Sequence, residues 1–262
     1  MKKRKRAFAL VVLTGVLASA LAGVAVAEKA TTVKAGNLVF TINGGVTPKA
    51  LPKKTMAPIT LNVEGKIATA DGTHPPALIE AIVDTDKNGT IDARGVPTCK
   101  QGELEARTTT EAEKACKPAI VGTGITDVEL QFPESKPVPI HSKLLALNGG
   151  TKGGKTTIFI HAYLSNPVSA ALVTTVKVAK VKNGPYGIRS VATIPRIAGG
   201  DGSVTAFTLK FPKQLFAYKG KKHGYLLAKC PQGKFVAQAE AKFASGEKIG
   251  PGKIVRSCTP QG

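Results

Sequence analysis

Long stretches of the chain alternate apolar and polar residues with a period of two, which leaves few folds open to it. In residues 59–68 the apolar side chains fall on one face and the polar ones on the other. In residues 235–243 the apolar face carries Phe235, Ala237, Ala239, Ala241 and Phe243. Successive side chains of a strand point to opposite faces of a sheet, so both stretches are predicted to be half-buried antiparallel strands.

About ten runs of strand character follow one another, separated by turns rich in Gly and Pro such as residues 182–187. Residues 225–230 and 235–243 are predicted to form a final hairpin, and the tail to Cys258 is predicted to be loose without its disulfide. Helical periodicity is almost absent. We therefore predict an all-β fold, an antiparallel β-sandwich of the jelly-roll type.

One domain, residues 28–262, accounts for this pattern. The alternative is two small β domains, residues 28–147 and 156–262, joined by the Gly-rich residues 148–155.

The eight residues 148–155, NGGTKGGK, also invite comparison with a phosphate-binding loop. The glycine and lysine spacing does not fit that motif, and a run of β character follows where the motif needs a helix.

Residues 1–27 have the organisation of a secretory signal peptide. Five basic residues precede an apolar run, and Ala25, Val26 and Ala27 supply the small residues that a signal peptidase accepts. An uncleaved anchor helix is the alternative. The signal predicts a secreted protein, extracellular or associated with the cell wall, whose mature chain begins at Glu28.

The four cysteines of an exported chain predict two disulfides. Three pairings are open, and pairing of nearest neighbours, Cys99 with Cys116 and Cys230 with Cys258, is favoured because each pair brackets one local unit. No Cys-x-x-Cys motif supports a metal site instead.

The segment between Cys99 and Cys116 holds the single predicted helix. Thr110 followed by Glu113 fits a capping box, so we expect a short helix over residues 111–116. A helix of one or two turns is unstable alone, and the disulfide is expected to hold it.

An acidic run just before this segment matches the front of a calcium-binding loop. Its candidate oxygen ligands, at alternate positions, are Asp84, Asp86, Asn88 and Asp92. Gly95 stands where such a loop needs its bidentate Glu, so calcium is a weak candidate and no other cofactor is predicted. The competing interpretation is a β-hairpin that turns at Asn88 and Gly89.

The basic residues are unevenly distributed. The chain has 37 Lys and Arg against 17 Asp and Glu, and after residue 145 the acids are only Asp201, Glu240 and Glu247. Such a half attracts anionic wall polymer or a membrane surface, and export makes nucleic acid an unexpected partner. The alternative is a solvated Lys-rich surface without a specific partner. The candidate anion-binding residues are Lys219, Lys221 and Lys222.

Motifs for catalysis are missing from the sequence. It has neither His-Glu-x-x-His nor Gly-x-Ser-x-Gly, and its four histidines are scattered. His161 is predicted to be a packed residue of a central strand. We therefore assign no catalytic residue and predict a non-catalytic envelope or extracellular protein. The alternatives are a secreted hydrolase with a glycosidase-type carboxylate pair, and a calcium-stabilised adhesion or structural module.

Short motifs lie around the cysteines: GVPTC at residues 95–99, EARTT at residues 105–109, AC at residues 115–116, AIVGTG at residues 119–124 and GYLLAKCP at residues 224–231. Together they resemble a group of uncharacterised secreted proteins of high-GC Gram-positive bacteria. The resemblance implies a signal-bearing β domain with paired cysteines, and it implies no activity.

Overall fold

The computed structural model describes residues 28–197 and 202–262, so the predicted signal peptide lies outside the described residues. The strands are β1 (Thr31–Ala35), β2 (Leu38–Thr47), β3 (Ala50–Pro52), β4 (Ala57–Pro58), β5 (Thr60–Thr69), β6 (Leu78–Asp86), β7 (Gly89–Ile91), β8 (Ile120–Leu130), β9 (Val138–Lys152), β10 (Lys155–Leu164), β11 (Ala170–Asn183), β12 (Tyr186–Thr193), β13 (Gly202–Phe211), β14 (Leu215–Tyr218), β15 (Lys221–Gly224), β16 (Leu226–Ala228), β17 (Lys234–Phe243), β18 (Lys248–Ser257) and β19 (Thr259–Gln261). The described residues contain no helix that is both long and apolar enough to cross a membrane.

Twelve of these strands form one antiparallel sheet in the order β1-β2-β5-β13-β8-β9-β10-β11-β12-β6-β17-β18. The all-β prediction is confirmed. The sheet curls until it is nearly closed into a barrel, so its two halves face each other across the core as in a sandwich. Residues 148–155 are part of the hairpin that joins β9 to β10 inside this sheet.

The closing contact between β18 and strands β1 and β2 is made by side chains. Among the described residues no main-chain ladder joins β18 to β1 or β2. Instead, Arg256 donates to the main-chain oxygen of Gly44, and Thr31 donates to that of Lys253. Glu28 also accepts hydrogen bonds from Ser257. We call this contact the seam.

The chain ends differently from its prediction. Residues 225–230 and 235–243 do not pair with each other, because β16 pairs with β4 and β7 while β17 pairs with β6 and β18. The final hairpin is β17–β18, so the tail, whose order was predicted to depend on its disulfide, is a strand. We call the small β4-β16-β7 sheet the floor, because it covers one end of the barrel interior.

Two disulfides are present, with the nearest-neighbour pairing. The Cα atoms are 5.6 Å apart in Cys99–Cys116 and 6.2 Å apart in Cys230–Cys258. The second disulfide follows the floor strand β16 and joins it to the residue after β18. This bond and the hydrogen bond from Cys230 N–H to Pro52 O fix the floor against the end of the sheet.

The predicted helix exists, but its start was placed two residues too late. Helix α1 is Thr109–Cys116, preceded by the 3₁₀ turn Gln101–Glu103 and followed by another at Lys117–Ala119. The capping box is formed by Thr108 and Glu111, whose N–H donates to Thr108 Oγ1 over 3.3 Å. The Thr-Thr-Thr run offers three N-caps of equal chemistry, and packing of Ala112 and Cys116 selects among them.

The hairpin interpretation of Asn88 and Gly89 is wrong. The chain does turn there, but β6 joins the main sheet and β7 leaves it to pair with β16 in the floor. Gly89 does not adopt the left-handed backbone that an Asn-Gly hairpin turn requires. Asn88 instead bonds Asp86 through its side chain and its main chain.

His161 lies beneath the helical connection, as the packed residue that the sequence predicted. It is fully buried, and its Nε2 lies 3.1 Å from Arg107 O, which makes Nε2 the donor. Among the described residues its Nδ1 has no hydrogen-bond partner. Burial lowers the pKa of His161, because removal from water disfavours the charged imidazolium more than the main chain of Arg107 and Leu104 stabilises it.

We expect this histidine to make stability depend on pH. Because its pKa is lower in the folded chain, its contribution is complete above the unfolded pKa of about 6.5 and is lost as the pH falls through the folded value. Chemical unfolding of wild type and H161Q between pH 7.5 and 5 checks this. The wild-type free energy of unfolding should fall more steeply, and parallel curves would contradict the expectation.

Candidate functional site

The barrel interior holds an apolar cavity of about 400 Å³. Every strand of the main sheet except β1 contributes to its wall, and the floor residues Leu226, Leu227 and Ala228 close one part of it. Alternate residues of neighbouring strands point inward. On β10, β11 and β12 they are Ile158, Ile160, Ala162, Leu172, Thr174, Val176, Val178, Ile188, Ser190 and Ala192.

The cavity is far larger than the voids of an ordinary protein core. Native interiors contain few voids bigger than one water molecule, whereas small-molecule sites occupy about 300–1,000 Å³. Unfilled apolar space costs about 24 cal/mol per Å³ in engineered cores. The interior is therefore suited to an apolar molecule that supplies the missing contacts.

A glycine shapes one wall of the cavity. Gly65 on β5 pairs with Phe207 on β13, and a Cβ at Gly65 would overlap the Phe207 ring. The ring lies across the glycine and lines the cavity together with Leu209 and Phe211. A side chain at position 65 would push Phe207 into the cavity.

Polar side chains line the cavity on several strands, and Arg256, the one cation among the described lining residues, lies beside the seam. Arg256 is 7 % exposed and lines the cavity next to Asn43, Gly44 and Asn62. Its guanidinium donates to Gly44 O and to Asn43 Oδ1, each over 2.6 Å. The nearest carboxylate is Glu28, whose Oε2 lies 3.7 Å from Arg256 Nε.

Glu28 is shared between two cations. Burial opposes its ionisation, but hydrogen bonds from Lys49 and Ser257 outweigh burial and lower the pKa of Glu28 to about 2. Lys49 Nζ is 2.7 Å away, closer than Arg256. Among the described residues, Arg256 is therefore a buried cation whose one close carboxylate, Glu28, is shared with Lys49.

The candidate calcium ligands do not converge. On the outer face of the sheet, Asp84 accepts hydrogen bonds from Nε and Nη2 of Arg189, each over 2.7 Å. These hydrogen bonds lower the pKa of Asp84. Asp86 bonds Asn88 and the N–H of Val236. Asp92 pairs with Arg94 and lies 3.6 Å from His223.

Among residues 28–197 and 202–262, one group of three acidic, cysteine or histidine side chains lies close enough together to hold a metal ion. It consists of Cys99, Glu103 and Cys116, and its two sulfurs are already joined in a disulfide.

The three candidate anion-binding lysines lie together on the β14–β15 hairpin, outside the floor. Lys219, Lys221 and Lys222 are exposed. Lys219 Nζ and the Arg94 guanidinium lie 5.6 and 5.8 Å from the ring centroid of Tyr218. The hairpin therefore presents a compact basic tip, with an aromatic ring between two cations.

The sequence did not predict a hydrogen-bonded row of side chains formed by Ser203, His74 and Glu129. His74 Nε2 lies 3.2 Å from Ser203 Oγ, and Nδ1 lies 3.4 Å from Glu129. Ser203 is 1 % exposed, and its hydroxyl donates to Pro75 O, so the histidine cannot take that proton without breaking a buried hydrogen bond. None of the three residues lines the cavity. The row fixes the β5–β6 loop against the sheet.

The sequence carried one signal for the interior site that was not used. Hydroxyl residues Thr174 and Ser190 stand at inward positions of otherwise apolar faces. A tightly packed core rarely accepts such residues without partners, whereas a cavity wall does.

We compared the chain with protein-family models, curated proteins and solved structures, and none of them matches it.

Proposed function

We propose that this is an exported, non-catalytic protein that binds one small apolar molecule inside the barrel. The cavity supports this proposal most strongly, because its wall is drawn from nearly the whole sheet and its surface is mostly apolar. The two disulfides fit an extracellular protein. They also suit a carrier that must keep a costly cavity intact outside the cell.

Isothermal titration with hexadecanol tests the binding proposal. This alcohol is neutral, so it probes the apolar interior without a contribution from the basic surface. We expect saturable binding of one molecule per chain and a negative heat-capacity change, the marker of buried apolar surface. Absence of saturable heat across the soluble range would overturn the proposal.

We propose a second activity for the basic hairpin tip, contact with an anionic wall polymer or membrane surface. It is supported by the clustering of Lys219, Lys221 and Lys222 on one exposed hairpin. Exposed charges act over about 10 Å at 0.1 M salt, so such contact depends on ionic strength. The tip lies near the floor of the cavity, where a bound surface could supply or receive the apolar molecule.

We expect the hairpin tip to govern retention on anionic vesicles. At low salt the wild type should cosediment with vesicles containing phosphatidylglycerol, and the triple variant K219Q/K221Q/K222Q should remain in solution. The matched control is K152Q/K155Q/K177Q, which removes equal charge from the outer face of strands β9 to β11. Binding that ignores salt, or equal loss in both variants, would contradict a role for the tip.

A further inference from the structure

Resting on the proposed binding of an apolar molecule, we infer that the ligand is a long aliphatic chain ending in a carboxylate, with its head at Arg256. The wall of the cavity is aliphatic over most of its surface and cationic at one place. A molecule that matches both regions has an apolar tail and a single anionic group.

The hydrogen bonds of Arg256 leave part of the guanidinium available. Of its five N–H groups, four donate to protein oxygens, namely Gly44 O, Val255 O, Lys29 O and Asn43 Oδ1. One N–H on Nη1 has no acceptor in the part of the chain that the structure describes. Three of the four acceptors are neutral carbonyls, and the fourth is a neutral amide.

Charge balance points in the same direction. A buried guanidinium is costly unless a negative charge is close, and the carboxylate of Glu28 lies 3.7 Å away and also bonds Lys49. Among the described residues that line the wall, the one carboxyl side chain is that of Asp86. Its oxygens accept from the Asn88 main chain and side chain and from Val236 N–H, so it does not pair with Arg256.

The β2 wall beside Arg256 carries no side chain at Gly44, whose main-chain oxygen accepts from Arg256 and which holds the inward position between Ile42 and Val46. Asn62 and its strand partner Gly45 hold outward positions in register with Lys210, so neither places a side chain in the cavity. A carboxylate inside the cavity would accept from the free N–H of Arg256 Nη1.

The test compares palmitic acid with hexadecanol, which share a chain length and differ in the head group. We expect wild type to bind the acid at least about tenfold more tightly at pH 7.5, the effect of one charge-assisted hydrogen bond. In R256M the two affinities should become equal, with hexadecanol bound as in wild type. Retained alcohol binding also shows that the variant is folded.

Each other outcome has a defined meaning. Equal affinities in wild type would overturn the carboxylate inference and leave the apolar site intact, whereas failure of both ligands would overturn the proposed function itself. A preference that persists in R256M would place the head elsewhere. If R256M does not fold, the Arg256 Nε–H resonance of wild type decides, because it should shift with the acid and not with the alcohol; no difference would overturn the inference.

Discussion

Replacing Ala192 by Phe is expected to weaken binding of an apolar probe by roughly tenfold or more, with stability unchanged or raised. Ala192 lies on β12 and lines the cavity, so a phenyl ring at this position occupies space that the ligand needs. In a packed core the same substitution would cost about 1–3 kcal/mol through overpacking. Simultaneous loss of binding and retention of stability therefore distinguishes a ligand cavity from a core.

The neighbouring residue supplies the control. Val191 precedes Ala192 on the same strand and does not line the cavity, so V191F adds the same ring to the opposite face. A titration that follows the fluorescence of N-phenyl-1-naphthylamine should give the wild-type affinity for V191F and a much weaker one for A192F. Equal affinities in the two variants would mean that the probe binds outside the barrel.

Removal of the Cys230–Cys258 disulfide is expected to lower the free energy of unfolding by about 3.5 kcal/mol and to weaken ligand binding as well. The first effect follows from the 28-residue separation of the two cysteines, by the loop-entropy relation. The second follows because this disulfide holds the floor, whose residues Leu226 and Ala228 line the cavity. Denaturant unfolding and probe titration of C230A/C258A measure the two effects.

The other disulfide is the matched control. It closes a 17-residue separation, so C99A/C116A should lose a similar amount of stability, about 3 kcal/mol. The segment between Cys99 and Cys116 packs against the outer face of β9 and β10 and does not reach the cavity. Binding should therefore survive in C99A/C116A. If both double variants lose binding equally, the floor has no separate role.

The strands could be predicted from sequence because the alternation of apolar and polar residues shows which side chains share a face of the sheet. The runs at residues 59–68 and 235–243 are strands β5 and β17, and the inward face of β17 includes Phe235 and Ala237, which line the cavity. The turn at residues 182–187 joins β11 to β12. These are local features, fixed by residues near one another in the chain.

The closure of the sheet could not be predicted, because it depends on pairs far apart in sequence. Strand β18 shows why the tail was not predicted to be a strand. Its pattern is interrupted by Gly250 and Pro251, and it then places Val255 outward, 55 % exposed, and Arg256 inward. The cavity could not be predicted for a related reason. An inward apolar residue looks the same in the sequence whether it packs against another side chain or against a ligand.

Isoleucine methyl groups offer the most direct measurement of where a ligand binds. Ile158, Ile160 and Ile188 line the cavity, whereas Ile125 is 59 % exposed on the outer surface. With these methyl groups labelled, nuclear Overhauser effects to the chain of bound palmitic acid report its position. An apolar ligand inside the barrel predicts contacts to the three interior isoleucines and none to Ile125. Contacts to Ile125 alone, or no contacts at saturating ligand, would contradict binding of the ligand inside the barrel.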